Sequence, residues 1–369
     1  METQNIIPFF GIKRQYASLR DELLDASDRV YRTGQVLDGN YTKDFESRIA
    51  YRCDRKYAIA VNSCTQGLIM ALQSIGSPGR VLIPAVSFAA TVNSVLMTEH
   101  EPRFVDVDRN ALIDMESIEY SFNEYKHAAI MYANLFGNIV DYDRFRVLTE
   151  FFGQDPYIIE DAAQSFGASY KGIPSGKLGT VSVLSFDPTK NLPNYGSGGM
   201  VLTDDLAIAE SILDFRDNGK FGGHNYPGTN SKMSESDCAQ MLVKLQYFDA
   251  WQSRRSAIAD YYIEQLHPYV DILLPNKDVD HAWHKFVLRV ESRNRFKHHL
   301  AMSGIETKIH YERMLPDLDV CRSIKVGGMS ADFLSAEFFC KETISLPIYP
   351  ELTDSEVERI VQAVKEFYH

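Results

Sequence analysis

From about residue 58 to residue 185 the chain repeats one pattern, a short apolar run followed by a helix-length amphipathic stretch. The runs occupy residues 58–61, 81–83, 104–105, 128–131, 157–159 and 181–184, and stretches at 65–74, 89–98 and 141–152 separate several of them. Runs that are apolar throughout suit strands buried on both faces, and helices between them supply crossover connections. Such crossovers are right-handed and build a mostly parallel sheet covered by helices, with ligands bound beyond the carboxyl ends of the strands. The expected class is therefore α/β, and the chemistry is expected at the strand ends.

The flanks differ. Residues 12–30 and 42–51 read as helices around a turn-rich segment at 34–40. A long helical pattern runs from 234 to about 265 and leads into 284–290, which alternates like an antiparallel strand. We expect a large α/β domain over residues 1–245, including the N-terminal helical segment, and a smaller C-terminal α+β domain over 246–369. A chain of 369 residues with 45% hydrophobic content can bury a core of that size. Neither an internal repeat nor a low-complexity run interrupts it.

The 38 Lys and Arg against 50 Asp and Glu give a formal net charge of -12, which disfavours a nucleic-acid polymer or an anionic membrane as partner. A small phosphorylated ligand stays compatible, because backbone N–H groups at a helix start bind anions locally. The five cysteines, Cys53, Cys64, Cys238, Cys321 and Cys340, show no zinc or redox spacing, so no metal is expected and a reducing compartment fits. Residues 1–10 lack a basic segment followed by a long apolar run, and no stretch reaches the length of a membrane span. The expected location is the cytoplasm.

Three strand-end segments carry candidate chemistry. Asn62-Ser63-Cys64-Thr65-Gln66-Gly67 follows a strand and opens a helix, a position where free N–H groups face an anion. An ordinary Ser/Thr N-cap, which needs no ligand, is the commoner use of such residues. Ile158-Ile159-Glu160-Asp161-Ala162-Ala163-Gln164-Ser165 ends a strand with two acids, one of which can pair with a cationic ring nitrogen or merely cap a helix. In Ser185-Phe186-Asp187-Pro188-Thr189-Lys190-Asn191-Leu192, followed by Gly196-Ser197-Gly198-Gly199, a lysine stands between a buried strand and a glycine-rich turn. A loop lysine is usually a solvated charge, but one held out of water has a lowered pKa and attacks an aldehyde to form a Schiff base. Anion cradle, strand-end aspartate and post-strand lysine together are what pyridoxal phosphate uses.

These segments resemble, over almost the full chain, the DegT-like nucleotide-sugar aminotransferases, which are fold-type I pyridoxal-phosphate enzymes. Glu160 to Gln164 and Ser185 to Leu192 are similar to the two signature segments of that family. Further matches are Pro84-Ala85-Val86-Ser87-Phe88-Ala89-Ala90-Thr91, Asn230-Ser231-Lys232-Met233-Ser234 and Leu346-Pro347-Ile348-Tyr349-Pro350-Glu351-Leu352-Thr353. The resemblance implies that Lys190 carries the cofactor and moves protons, that Asp161 keeps the pyridine nitrogen protonated, and that Gln164 lies near the ring hydroxyl. It implies further that Phe88 packs on the ring and that Cys64, Thr65 and Ser185 hold the phosphate. Asn230 would reach the phosphate of a partner subunit, making a homodimer the active unit. L-Glutamate is the implied amino donor, pyridoxamine phosphate the intermediate cofactor form, and a keto group at C3 or C4 of a nucleoside-diphosphate-linked deoxyhexose the acceptor.

Arg216, Lys220, Lys232, Lys308, His310 and Tyr311 fall in segments resembling the substrate-facing loops of the family, where basic groups suit a diphosphate. Two departures stand out. Cys64 replaces the usual glycine of the cradle, and Leu192-Pro193-Asn194-Tyr195 replaces smaller, apolar residues after the lysine. A sugar-dehydrating branch, which has histidine in place of the lysine, is disfavoured by Lys190. A cyclitol-ketone aminotransferase and a non-catalytic, cofactor-binding regulator remain open. A nicotinamide-dependent oxidoreductase would need a G-x-G-x-x-G turn after the first strand, and Asn62 to Gly67 does not provide one.

Overall fold

The computed structural model describes residues 6–124, 126–151, 157–225, 227–323 and 333–369. Residues 1–5 and Phe152, the last residue of the helix predicted at 141–152, lie outside them. Helices α1 (Ile12–Thr33) and α2 (Asn40–Arg52) precede β1 (Tyr57–Val61). The alternation then runs α3 (Cys64–Gln73), β2 (Arg80–Pro84), α4 (Ala89–Leu96), β3 (Glu101–Val105), α5 (Met115–Glu124), β4 (Ala129–Ala133), α6 (Tyr142–Phe151) and β5 (Tyr157–Asp161). Short β6 (Ser169–Tyr170) and β7 (Ile173–Pro174) lead to β8 (Val181–Ser185), β9 (Gly199–Thr203), α7 (Leu206–Arg216) and α8 (Glu235–Leu266). The remainder comprises β10 (Asp271–Ile272), β11 (Val279–Asp280), β12 (Phe286–Arg289), α9 (Arg293–Met302), α10 (Asp319–Ser323), α11 (Leu334–Glu342), β13 (Thr343–Leu346) and α12 (Asp354–Phe367).

The central sheet has seven strands in the order β1-β9-β8-β5-β4-β2-β3. Neighbours from β8 to β3 pair in parallel, whereas β9 runs antiparallel to both β8 and β1. The α/β class read from the apolar runs is the one observed. Strand β9 is the element that reading omitted, since Gly198 and Gly199 signal a turn and mask the buried Met200-Val201-Leu202 behind them. A smaller antiparallel sheet, β10-β12-β13, pairs Phe286 with Leu346 and contains the strand expected at 284–290.

Local chemistry sets the ends of these elements. Helix α1 stops at Gly34, whose φ of 70° is the left-handed conformation that glycine adopts without strain, and its N–H returns to the Tyr31 carbonyl. Helix α12 opens with a capping box between Thr353 and Glu356. Helix α2 lacks a side-chain cap of its own, and the buried Glu235 of α8 accepts the N–H groups of Gly39, Tyr41 and Thr42 instead. Residue 245 lies inside α8. The first half of that helix packs Ala239 and Val243 on Leu19 and Leu23 of α1, and the second packs Ile258 and Tyr262 with Phe286 and Ile344.

One close approach positions the site. A Cβ on Gly199 would stand 2.7 Å from the backbone nitrogen of Cys64, so only glycine lets β9 press against the first turn of α3. The start of α3 is thereby held at the carboxyl edge of the parallel strands.

Candidate active site

Beyond that edge lies a cavity of about 340 Å³ lined by residues at the ends of the central strands and by residues of the C-terminal part, among them His284 and Lys285 just ahead of β12. Ser63 is the N-cap of α3, its hydroxyl accepting the Gln66 N–H at 3.2 Å. The first-turn N–H groups of Cys64 and Thr65 have no intrahelical carbonyl to bond, and Ser185 from the end of β8 lines the same wall. This is an anion-binding corner built from backbone dipoles and hydroxyls.

The two acids ending β5 point to opposite faces of the strand, as a period of two requires. Glu160 is fully buried away from the cavity and accepts hydrogen bonds from Asn134, Ser175, Gly176, Leu178 and Ser182. Asp161 lines the cavity, accepting the Thr91 hydroxyl at 3.1 Å and the Ala163 N–H at 3.2 Å. Burial pushes its carboxyl above the usual range, while the Ala163 N–H, the nearby Lys190 and Thr91 pull the other way. A cation placed against it would complete the pull, which suits a protonated ring nitrogen.

Lys190 follows β8 on a turn in which Asp187 accepts both the backbone N–H and the hydroxyl of Thr189, at 3.0 and 2.7 Å. Its amine lines the cavity, and burial lowers its pKa from the ordinary lysine value, partly countered by Cys64, Asp187 and Asp161. The turn is anchored downstream by Asn191, which donates to the Ala282 carbonyl at 2.6 Å, and by the Asn194 N–H on the Phe186 carbonyl at 2.8 Å. Gln164 accepts the Phe136 N–H at 3.0 Å and donates to the Tyr311 hydroxyl at 2.9 Å, which fixes its amide. Phe88, the N-cap residue of α4, is 57% exposed at the cavity wall. A large apolar face left open beside a carboxylate and an amine is suited to a flat ring.

The donor set therefore fits pyridoxal phosphate: N–H groups and hydroxyls for the phosphate, Asp161 for the ring nitrogen, and a lysine of lowered pKa for the aldehyde. Cys64 departs from the glycine expected there without closing the corner. Its thiol, held protonated by burial and by the neighbouring Asp161 charge, points toward an Asp161 oxygen 4.0 Å away.

The chain matches the DegT/DnrJ/EryC1/StrS aminotransferase family over residues 17–365. It belongs to that family. This aminotransferase is 33% identical to a "Pleiotropic regulatory protein" of Geobacillus stearothermophilus, covering 98% of both chains. It is also 33% identical to the dTDP-3-amino-3,4,6-trideoxy-alpha-D-glucose transaminase of Streptomyces venezuelae, over 98% of this chain and 96% of that one. Among solved structures, S. venezuelae DesV in complex with a ketimine intermediate superposes with a TM-score of 0.93 at 31% identity, covering 99% of each chain. The enzyme is a pyridoxal-phosphate-dependent aminotransferase of α/β fold.

The cavity of the aminotransferase brings together Cys64, Thr65, Phe88, Asp161, Gln164, Ser185, Lys190, Lys308, His310 and Tyr311. Four other residues singled out in the sequence stand elsewhere. Arg216 is buried beneath β1, where it donates to the Ala60 carbonyl at 3.1 Å and pairs with Asp38, Glu46 and Asp217. Lys232 pairs with Asp217 in the same cluster, so both cations are neutralised within the protein. Lys220 and Asn230 are exposed and do not line the cavity of their own chain. Conversely, Phe10, Asn134, Asp187, His284 and Lys285 line the cavity without having been singled out. Both histidines are held neutral: burial among cations pushes His310 down to about 2 and His284 well below its usual value.

The unusual loop Leu192 to Tyr195 is held by a second buried lysine. Lys244 donates to the Pro193 carbonyl at 2.6 Å and lies 3.4 Å from the centre of the Tyr195 ring, and burial lowers its pKa to about 7. Below pH 7 folded and unfolded chains are both protonated, and the fold bears the full cost of the buried ammonium. Between pH 7 and 10.5 the folded state has released a proton that the unfolded state keeps, so stability rises with pH, by at most about 1.4 kcal/mol per unit. Urea unfolding of the wild type and Lys244→Met from pH 6.5 to 9.5 is expected to show a shallower rise of stability with pH in the variant, because Lys190 and Lys285, also lowered, keep contributing to it. Equal slopes would remove Lys244 as a source of the rise.

Among the described residues, no helix is long and apolar enough to cross a membrane.

Proposed function

We propose that this aminotransferase moves an amino group from L-glutamate to a keto carbon, C3 or C4, of a nucleoside-diphosphate-linked deoxyhexose, in ping-pong order through pyridoxamine phosphate. The observation that carries the reading is the cavity itself, in which the low-pKa amine of Lys190 shares one wall system with Asp161 and the start of α3. Bound pyridoxal phosphate supplies an aldehyde for amine capture and a ring that accepts an electron pair. The residues of the chain do the rest. Cys64, Thr65 and Ser185 hold the phosphate, Asp161 keeps a proton on the ring nitrogen, Gln164 faces the ring hydroxyl, and Phe88 covers the ring. Lys190, its pKa lowered by burial, takes the proton from the donor's α-carbon and later delivers one to the former keto carbon of the sugar.

Asn230 is exposed and does not line the cavity of its own chain, which supports the reading that it serves a second subunit and that the homodimer is the active unit. All five cysteines are free and buried, which supports work in the cytoplasm. The transaminase name of the S. venezuelae relative supports a nucleotide-sugar acceptor. The regulatory name of the Geobacillus relative favours, as a second reading, cofactor binding without turnover.

The test is the absorption spectrum of the protein with pyridoxal phosphate, followed by L-glutamate and then by 3-keto and 4-keto nucleotide-linked deoxyhexoses. The visible band of lysine-bound cofactor is expected to bleach with glutamate and return with one of the keto-sugars. A band that forms but responds to no donor would replace this reading with the regulatory one, and no band would end both.

A further inference from the structure

Lys285 stands just ahead of β12, only 6% exposed, and its side chain lines the cavity. Lys308, bridged by its backbone to Ser345 of β13, lines the same wall. Both ammonium groups lie over one ring, at 4.5 and 4.8 Å from the centre of Phe10. Among the described residues neither has a carboxylate or hydrogen-bond acceptor for its charge. The contrast with Arg216 and Lys232, which are paired inside the protein, is direct. Asp187 lines the same cavity, but one of its oxygens already serves Thr189.

A buried cation without a partner is costly, and Lys285 is one; the exposed Lys308 and the half-buried Lys190 line the same cavity. Burial and the neighbouring cations accordingly push Lys285 well below the usual lysine value. A cluster of this kind is relieved by an anion brought in from outside. His284, the neighbour of Lys285, hydrogen-bonds at 3.2 Å to Asn191, the neighbour of Lys190, which places the cluster at the reacting end of the cavity. A diphosphate on the anomeric oxygen of a sugar stands several bonds from a keto carbon at C3 or C4. An anionic group borne close to the reacting carbon matches the location better, and a carboxylate has two oxygens to share between two ammonium groups.

We propose that Lys285 and Lys308 form a carboxylate subsite beside Lys190. The proposal rests on the aminotransferase reading above. Two substrates bring such a group: the amino-acid donor, and a uronate, whose carboxylate on C5 stands beside a keto carbon at C4. The chemistry at the protein is the same for both.

Calorimetry on the cofactor-loaded enzyme distinguishes them, with unreactive glutarate as the donor probe and UDP-glucuronate against UDP-glucose as the sugar probe. The variants are Lys285→Met, Lys308→Met and Lys285→Arg. If the donor supplies the carboxylate, each Met variant weakens glutarate binding at least tenfold. If a uronate supplies it, the same variants abolish the preference for UDP-glucuronate over UDP-glucose. Lys285→Arg, which keeps the charge, restores part of either effect. Because Lys285 is unpaired and buried and Lys308 is unpaired and exposed, the Met variants are expected to melt no lower than the wild type, whereas lysines serving structure would leave lower-melting variants. Unchanged binding of both probes in both Met variants, or no binding of either probe to the wild type, would overturn the subsite. The lysine-bound band and its bleaching by glutamate, read on the same samples, report separately whether the aminotransferase reading stands.

Discussion

Lys190→Ala is expected to lose the visible band of lysine-bound cofactor and to slow the glutamate half-reaction by about 10^4-fold, the upper range for removal of one acid–base group. The size follows from two duties falling on a single amine. It captures the aldehyde, and it then carries the proton between donor and acceptor carbons. The histidines lining the cavity are not substitutes, since burial among cations leaves His284 and His310 without a titration near pH 7. Asp187 is committed to Thr189 and to shaping the turn. The variant is also expected to retain cofactor, because phosphate corner, Asp161 and Phe88 are untouched. Stopped-flow absorbance with bound cofactor quantified after denaturation separates these effects. A variant that binds cofactor and turns over glutamate within tenfold of the wild type would show that another base serves.

How much of this was legible in the sequence depended on the kind of signal. Strand ends were readable because apolar runs stop where a parallel sheet ends, and at those stops stand Asp161, Ser185 and the start of α3. The adjacent Glu160 and Asp161 could not be divided into roles from their order alone. Strand alternation divides them, sending one carboxylate to the cavity and the other to the interior. Basic residues were the weakest signal. Arg216 and Lys232 lie in segments with the right resemblance, yet Asp38, Glu46 and Asp217 from three separate places in the chain neutralise them. Such pairing depends on tertiary contacts that spacing does not encode. Lys285 was overlooked for the opposite reason. It sits in His284-Lys285-Phe286-Val287-Leu288, where it reads as a polar position in a half-exposed strand, but the small sheet turns it into the cavity.

The buried partner of Asp161 carries the largest expected effect on stability. Glu160→Ala is expected to cost about 3–5 kcal/mol, the range for leaving a buried charged network without its centre. The carboxylate joins β4, β5 and β8 with the segment after β7, by accepting Asn134 at 3.0 Å, Ser175 at 2.8 Å, the Leu178 N–H at 3.0 Å and Ser182 at 2.6 Å. Each of these donors is buried, so alanine would leave a set of N–H and O–H groups without acceptors in a dry interior. Asp161→Ala makes the control. Asp161 is one residue away and similarly buried, but its carboxylate is held by fewer donors and is penalised by burial. Its removal is expected to leave the urea midpoint near the wild-type value while activity collapses. If Glu160→Ala instead unfolded at the wild-type midpoint, the network would not be what holds β5 against the start of β8. The site would then owe its geometry to the turn around Lys190 and to the close contact of Gly199 with α3.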